Sequence, residues 1–271
     1  MSDEKTSKNL TALFSFLPVA TLLLIDLYTM FLQPQAKAVS HLAFGVLIAQ
    51  LLCCLVFVKG EICNGQRSRL IRVNLYFALY WAVWFLLSLF SNYHYVLTDM
   101  ICLCGIIMLL AVWQQPPEEG LRKSVLMMGA VCGVVGLICY GLMLIDIPML
   151  IWVQYNLFAQ ILMGVVLTNL TLVTSRNRLQ GFIGLLPLLM MIALLLNAIA
   201  VLGVLANAHF VSAVSFLNDF AFVLYFALHL VAAAVLAVHI WRKINLSYRI
   251  LMMLLIISAS LPLWATFAYI R

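Results

Sequence analysis

Long apolar runs recur from one end of this chain to the other, and no other feature restricts its folding so much. About nine can be read, at about 10–32, 39–58, 70–91, 95–113, 124–144, 149–173, 181–206, 214–240 and 249–270. Each is close to the ~20 residues that a helix needs to cross a ~30 Å hydrocarbon core. Hydrophobic residues make up 66% of the 271-residue chain and charged ones 9%, against roughly 25% charged in a soluble domain. Water cannot solvate so much apolar surface, and in lipid the backbone must satisfy its own polar groups, which helices do. The pattern predicts an all-α polytopic membrane protein, a single bundle of about nine transmembrane helices covering 1–271. In it an extra first span (10–32) precedes an eight-helix core (39–270). The first run reads as a retained span: it is too long for a signal peptide, opens on the mixed-charge "MSDEKTSKNL" and lacks an A-x-A-like cleavage site. The links are too short for a separate domain, so any catalytic or redox domain is expected on another chain.

Charge placement orients the bundle. All but Lys37 and Arg271 of the 15 Lys and Arg residues fall at the N-terminus or after even-numbered spans. The positive-inside rule then puts the N-terminus in the cytoplasm and the C-terminus outside; the expected location is a bacterial cytoplasmic (inner) membrane. The net charge of +6 follows from that topology, so the expected partner is the lipid bilayer and no nucleic acid. The seven cysteines lie mostly in or near spans, and "CLC" at 102–104 lacks C-x-x-C spacing. They read as structural thiols, and no metal or cofactor is expected on this chain.

Acidic groups inside spans are costly and mark sites by default. Asp26, Asp99 and Asp219 fall in the outer halves of spans one, four and eight. The plainer alternative is that each meets water or caps a helix. The stretch "SNYHYVLTDM" (91–100) sets His94 beside Asp99, and Asp99 is at i+4 from Tyr95, within reach of a local hydrogen bond. In span six, Asn156, Gln160, Gly164 and Thr168 recur every four residues and so share one face, expected to point into the bundle. Asn218, Tyr225 and His229 share a face of span eight, with His229 near mid-membrane. In span five, Gly129 and Gly133 have small-xxx-small spacing, which suits either a subunit interface or packing within the chain.

The eight-span core, with a short charged loop after its first helix, and the stretches "LRKSVLMMGAVCGVVGLICYGLMLIDIPMLIW" and "GLLPLLMMIALLLNAIAVLGVLANAHFVSAV" resemble the membrane anchor subunits of dimethyl sulfoxide reductases. That resemblance implies a subunit that fastens a molybdenum enzyme and its iron–sulfur partner to the membrane and oxidises menaquinol or ubiquinol near the outer face. It makes His94 and Asp99 the proton-accepting pair, with Asp standing where the family carries Glu, and with the first span extra.

Three readings follow. In the first, a quinol-oxidising anchor uses His94 and Asp99 as proton acceptors, with Asp26, Asn156 and Gln160 lining the slot. In the second, a small secondary transporter binds a proton or cation at Asp26, Asp99 and Asp219. In the third, the chain is a non-catalytic scaffold or assembly factor.

Overall fold

The computed structural model describes residues 2–32, 37–211 and 218–268. Among them every regular element is helical: α1 (Ser2–Leu32), α2 (Ala43–Lys59), α3 (Asn64–Asn74), α4 (Phe77–Phe90), α5 (Val96–Trp113), α6 (Glu119–Ile145), a 3₁₀ turn (Met149–Val153), α7 (Leu157–Thr174), α8 (Gln180–Val211), α9 (Asp219–Arg242) and α10 (Tyr248–Phe267). Eight segments are long and apolar enough to cross a membrane, and α2, at 17 residues, is a shorter apolar helix between the first two of them. The expected all-α membrane bundle is therefore what the chain forms.

Several helices begin elsewhere than the expected runs do, α6 for instance at Glu119, and two starts bear on the site. The third span begins earlier, because the chain is helical from Asn64 where the run was read from about 70. Its start is closed by a capping box, in which the Gln66 side chain accepts from the Cys63 N–H at 3.3 Å. The same span tightens at Leu75–Tyr76, where Ala78 and Leu79 donate to carbonyls three residues back, the 3₁₀ pattern. The seventh helix begins only at Leu157, so Asn156 is its N-cap, accepting from Phe158 N at 2.9 Å, and is not part of the helical stripe. Arg271, expected outside the membrane, lies beyond the described residues.

The core forms around α7. Every residue from Leu162 to Leu172 is buried, and α2, α8 and α10 pack directly on this helix. Small residues set the closest crossings. Gly45 of α2 lies against the Gln160 carbonyl of α7, and Gly164 against the Gly45 carbonyl. The glycines of α6 are used within the chain: Gly129 faces Ala111, Gly133 faces Met108 and Leu51, and Gly136 faces Leu47 and Cys104. Of the two uses that their spacing allowed, these contacts are internal packing.

Prolines 18, 187 and 262 sit inside α1, α8 and α10. In a bundle, neighbouring helices and hydroxyl side chains re-satisfy the backbone that proline frees. The Thr266 hydroxyl, for instance, donates to the Pro262 carbonyl at 2.9 Å.

Candidate functional site

Asp26 is fully buried, and no Lys or Arg pairs with it among the described residues. Its carboxyl oxygens are met by donors instead. Ser40 Oγ and Tyr80 OH each lie 2.6 Å from Oδ2, and the backbone N–H of His41 donates to Oδ1 at 2.8 Å. The two hydroxyls are also 2.7 Å from each other. Each has a single proton, so when both donate to Asp26 neither is left for that contact. Ser40 Oγ in turn accepts from Leu42 N and Ala43 N at 3.1 and 2.8 Å, at the start of α2. The carboxylate thus stands by a helix N-terminus, the end that favours negative charge.

The non-helical link before α2 makes this arrangement possible. It runs through Ala38, whose N–H donates to the Tyr93 carbonyl at 2.7 Å, while the Thr98 hydroxyl donates to the Ala38 carbonyl at 2.6 Å. Beyond Ser40 the network continues. Tyr140 OH donates to the Ser40 carbonyl at 3.0 Å, and Gln160 Nε2 donates to Tyr140 OH at 2.7 Å and to the Tyr155 carbonyl at 3.2 Å. Gln160 Oε1 accepts from Phe44 N at 3.1 Å. One polar cluster therefore ties α1, α2, α4, α6 and α7 together at one end of the bundle. Such a network is worth keeping only if its members are satisfied, because an unpaired polar group in a low dielectric is costly.

His41 links this cluster to a cavity. Its Nδ1 is 3.7 Å from Asp26 Oδ1, and its ring stacks on Tyr155 with centroids 4.2 Å apart and planes 14° from parallel. Tyr155 and Asn156 form the polar edge of a slot of about 400 Å³ between α6, α7 and α8. The rest of the lining is apolar, including Gly141, Leu157 and Val201. Ile145 and Trp152 border it and are 73% and 39% exposed, so the slot opens at the apolar outer surface of the bundle. The Trp152 indole is fixed by donating to the Leu144 and Ile147 carbonyls at 3.0 and 2.9 Å.

The other sequence candidates fall elsewhere. His94 Nδ1 is 3.4 Å from Asp99 Oδ2, with side chains 49% and 14% exposed, and neither residue lines the slot. Asp99 Oδ1 is buried with no hydrogen-bond partner among the described residues. The expected side-chain bond from Tyr95 to Asp99 is not made, because Tyr95 OH donates to Asp146 at 3.1 Å instead. Asp219 is exposed in the first turn of α9, behind the cap Asn218. Since α9 packs on α8 and α10, Asp219 does not join Asp26 and Asp99.

His229 belongs to a second buried cluster. Asn197 of α8 contacts His229 Nε2 and donates to Tyr225 OH at 3.1 Å, and His229 Nδ1 lies 3.2 Å from the Tyr225 carbonyl. Sequence reasoning found Tyr225 and His229 but missed Asn197, and it found Asp26 but missed Tyr80, Tyr140 and His41 as its surroundings. The available signal for Asn197 was a lone amide in an otherwise apolar span. Among the described residues no three His, Cys, Asp or Glu side chains gather as a metal site.

A family model described as "integral membrane domain" matches residues 5–267. A protein of Haemophilus influenzae, printed as "Uncharacterized protein", is 46% identical over 264 residues, covering 97% of this chain and 99% of the relative. No solved structure matches. The helical bundle, the family match and the near full-length bacterial relative agree, and the chain belongs to the integral membrane domain family.

Proposed function

We propose that this protein is the membrane subunit of a redox assembly and that the slot between α6, α7 and α8 takes the ring of a menaquinol or ubiquinol. One observation carries the reading: an apolar slot open to lipid has as its polar edge Tyr155, which stacks on His41, itself 3.7 Å from the buried Asp26. Quinone rings partition into lipid, so an apolar slot with few polar groups suits them. Oxidation of a quinol releases two protons and two electrons. In this reading the protons pass to the His41–Asp26 pair and leave at the outer end, and the electrons pass to an iron–sulfur group of a partner subunit. The proton acceptors are then His41 and Asp26, with Asn156 at the ring's edge. His94 and Asp99 stand outside the slot.

The test uses the whole protein in nanodiscs and a menaquinol analogue, read by quenching of tryptophan fluorescence. Quenching is expected in the wild type and is lost in Trp152→Phe. A side chain at Gly141 has open space around its first carbon and lines the slot, so Gly141→Leu should take up slot volume and weaken binding by about tenfold, the loss of ~1.4 kcal/mol. Equal binding to Gly141→Leu and wild type, or no binding to either, overturns the proposal.

A further inference from the structure

The basic end of the bundle carries a second cavity with the opposite character. Between α3, the start of α6 and the link after α5 lies a cleft of about 500 Å³. Arg67, Arg72 and Arg122 line it, together with Asn64, Ser68 and Trp113, and no Asp or Glu does. None of these arginines makes a close ion pair among the described residues. Arg67 donates to the Gln115 side chain at 2.9 Å and Arg122 to the Pro117 carbonyl at 3.1 Å, both neutral acceptors. Arg72 is exposed and makes no hydrogen bond or ion pair among the described residues. Arg67 and Arg122 lie within electrostatic range of each other. The nearby Glu119 pairs with Lys123 at 2.7 Å and is within electrostatic range of Arg67 and Arg122, so one carboxylate is shared among three basic groups.

Like charges converging on a shared cleft are held at a cost that an anion would remove. Arginine's planar fork matches phosphate oxygens, with Ser68 and Asn64 available as neutral partners. One wall is apolar and faces lipid: Trp113 is 58% exposed at the end of α5, where an indole sits at headgroup level. We propose that this cleft binds the phosphate of an anionic phospholipid headgroup, with Arg67, Arg72 and Arg122 as its ligands. A cleft that combines phosphate-binding arginines with a lipid-facing aromatic wall fits a lipid better than a soluble phosphate. Basic pockets between transmembrane helices are suited to such headgroups.

The test is native mass spectrometry of the purified full-length protein, offered phosphatidylglycerol, cardiolipin, phosphatidylcholine or inorganic phosphate. The two anionic lipids should be retained in preference to phosphatidylcholine. Arg122→Gln and Arg72→Gln should each weaken that retention by about fivefold, following ~1 kcal/mol per basic residue near the surface. Arg72 makes no bond within the fold, so its substitution tests the cleft without risk to folding. Equal retention of anionic and zwitterionic lipid, or unchanged retention in the Arg72→Gln and Arg122→Gln variants, overturns the proposal. Displacement of the lipid by inorganic phosphate at equal concentration overturns the lipid as ligand.

Discussion

Gly45 of α2 and Gly164 of α7 meet at a single crossing where neither helix has room for a side chain. A methyl on Gly164 would come within 2.5 Å of the Gly45 carbonyl oxygen, and one on Gly45 within 2.5 Å of the Gln160 carbonyl oxygen. The same crossing brings Gln160 Oε1 to Phe44 N at 3.1 Å, so the tight packing positions the polar cluster around Ser40 and Tyr140.

Gly45→Ala and Gly164→Ala should each destabilise the bundle by about 1–3 kcal/mol, the usual cost of overpacking. Gly184→Ala, with nothing near the new carbon, should stay within about 0.5 kcal/mol of the wild type. Thermal unfolding in detergent checks both. Equal midpoints for Gly164→Ala and Gly184→Ala would show that the crossing can relax.

Asp26 accepts three hydrogen bonds inside the bundle and donates none, which distinguishes its substitutions. Tyr80→Phe removes one donor and should cost about 1.5–3 kcal/mol, as for a bond to a charged group. Asp26→Asn should cost more, since its amide hydrogens face the His41 N–H or hydroxyls that must turn their own protons away in order to accept. The order of the two unfolding midpoints decides the point, and a stable Asp26→Asn would contradict the donor assignment.

Asn197, Tyr225 and His229 should behave as one unit. In a double-mutant cycle, Asn197→Ala with Tyr225→Phe should show a coupling of about 0.6 kcal/mol, and up to about 1.7 kcal/mol, the range for side-chain hydrogen bonds between membrane helices. Additive losses would mean that the contact between α8 and α9 contributes no stability of its own.

Tyr95 gives the hairpin between α4 and α5 a pH dependence. Partial burial, and then its bond to Asp146, push the phenol up to about 12, from about 10 in an unfolded chain. The raised value means that the folded state favours the neutral phenol. This contribution is fully present below about pH 10, and it is lost as the pH rises through the folded value. An ultraviolet titration of phenolate should lose one late-titrating group in Tyr95→Phe. In Asp146→Ala the same group should titrate earlier.

Much of this architecture could be read from residue order, for identifiable reasons. Crossing number and the inward face of α7 depend on local periodicity, and Gln160 and Thr168 are indeed fully buried. What could not be read is long range. Asp26 lies 54 residues from Tyr80, and Ser40 lies 100 from Tyr140. No helical period links such pairs, and the link that turns Ser40 and His41 toward Asp26 is not helical. His94 and Asp99 drew attention because they are neighbours in sequence, and the pair does form at 3.4 Å, though half exposed at His94. Asp219 and Asn218 follow the simpler rule that an acid in the first turn and an amide cap serve a helix start.

The donors around Asp26 also set an order of events during synthesis. A chain made from its N-terminus delivers α1 before α4, carrying a carboxylate of a kind whose insertion costs about 2.5–3.5 kcal/mol at mid-span and less toward either face. Ser40 and His41 follow soon after, but the Tyr80 hydroxyl is translated 54 residues later. Until then the Asp26 carboxyl lacks one of its three donors, and translation through α4 completes the set.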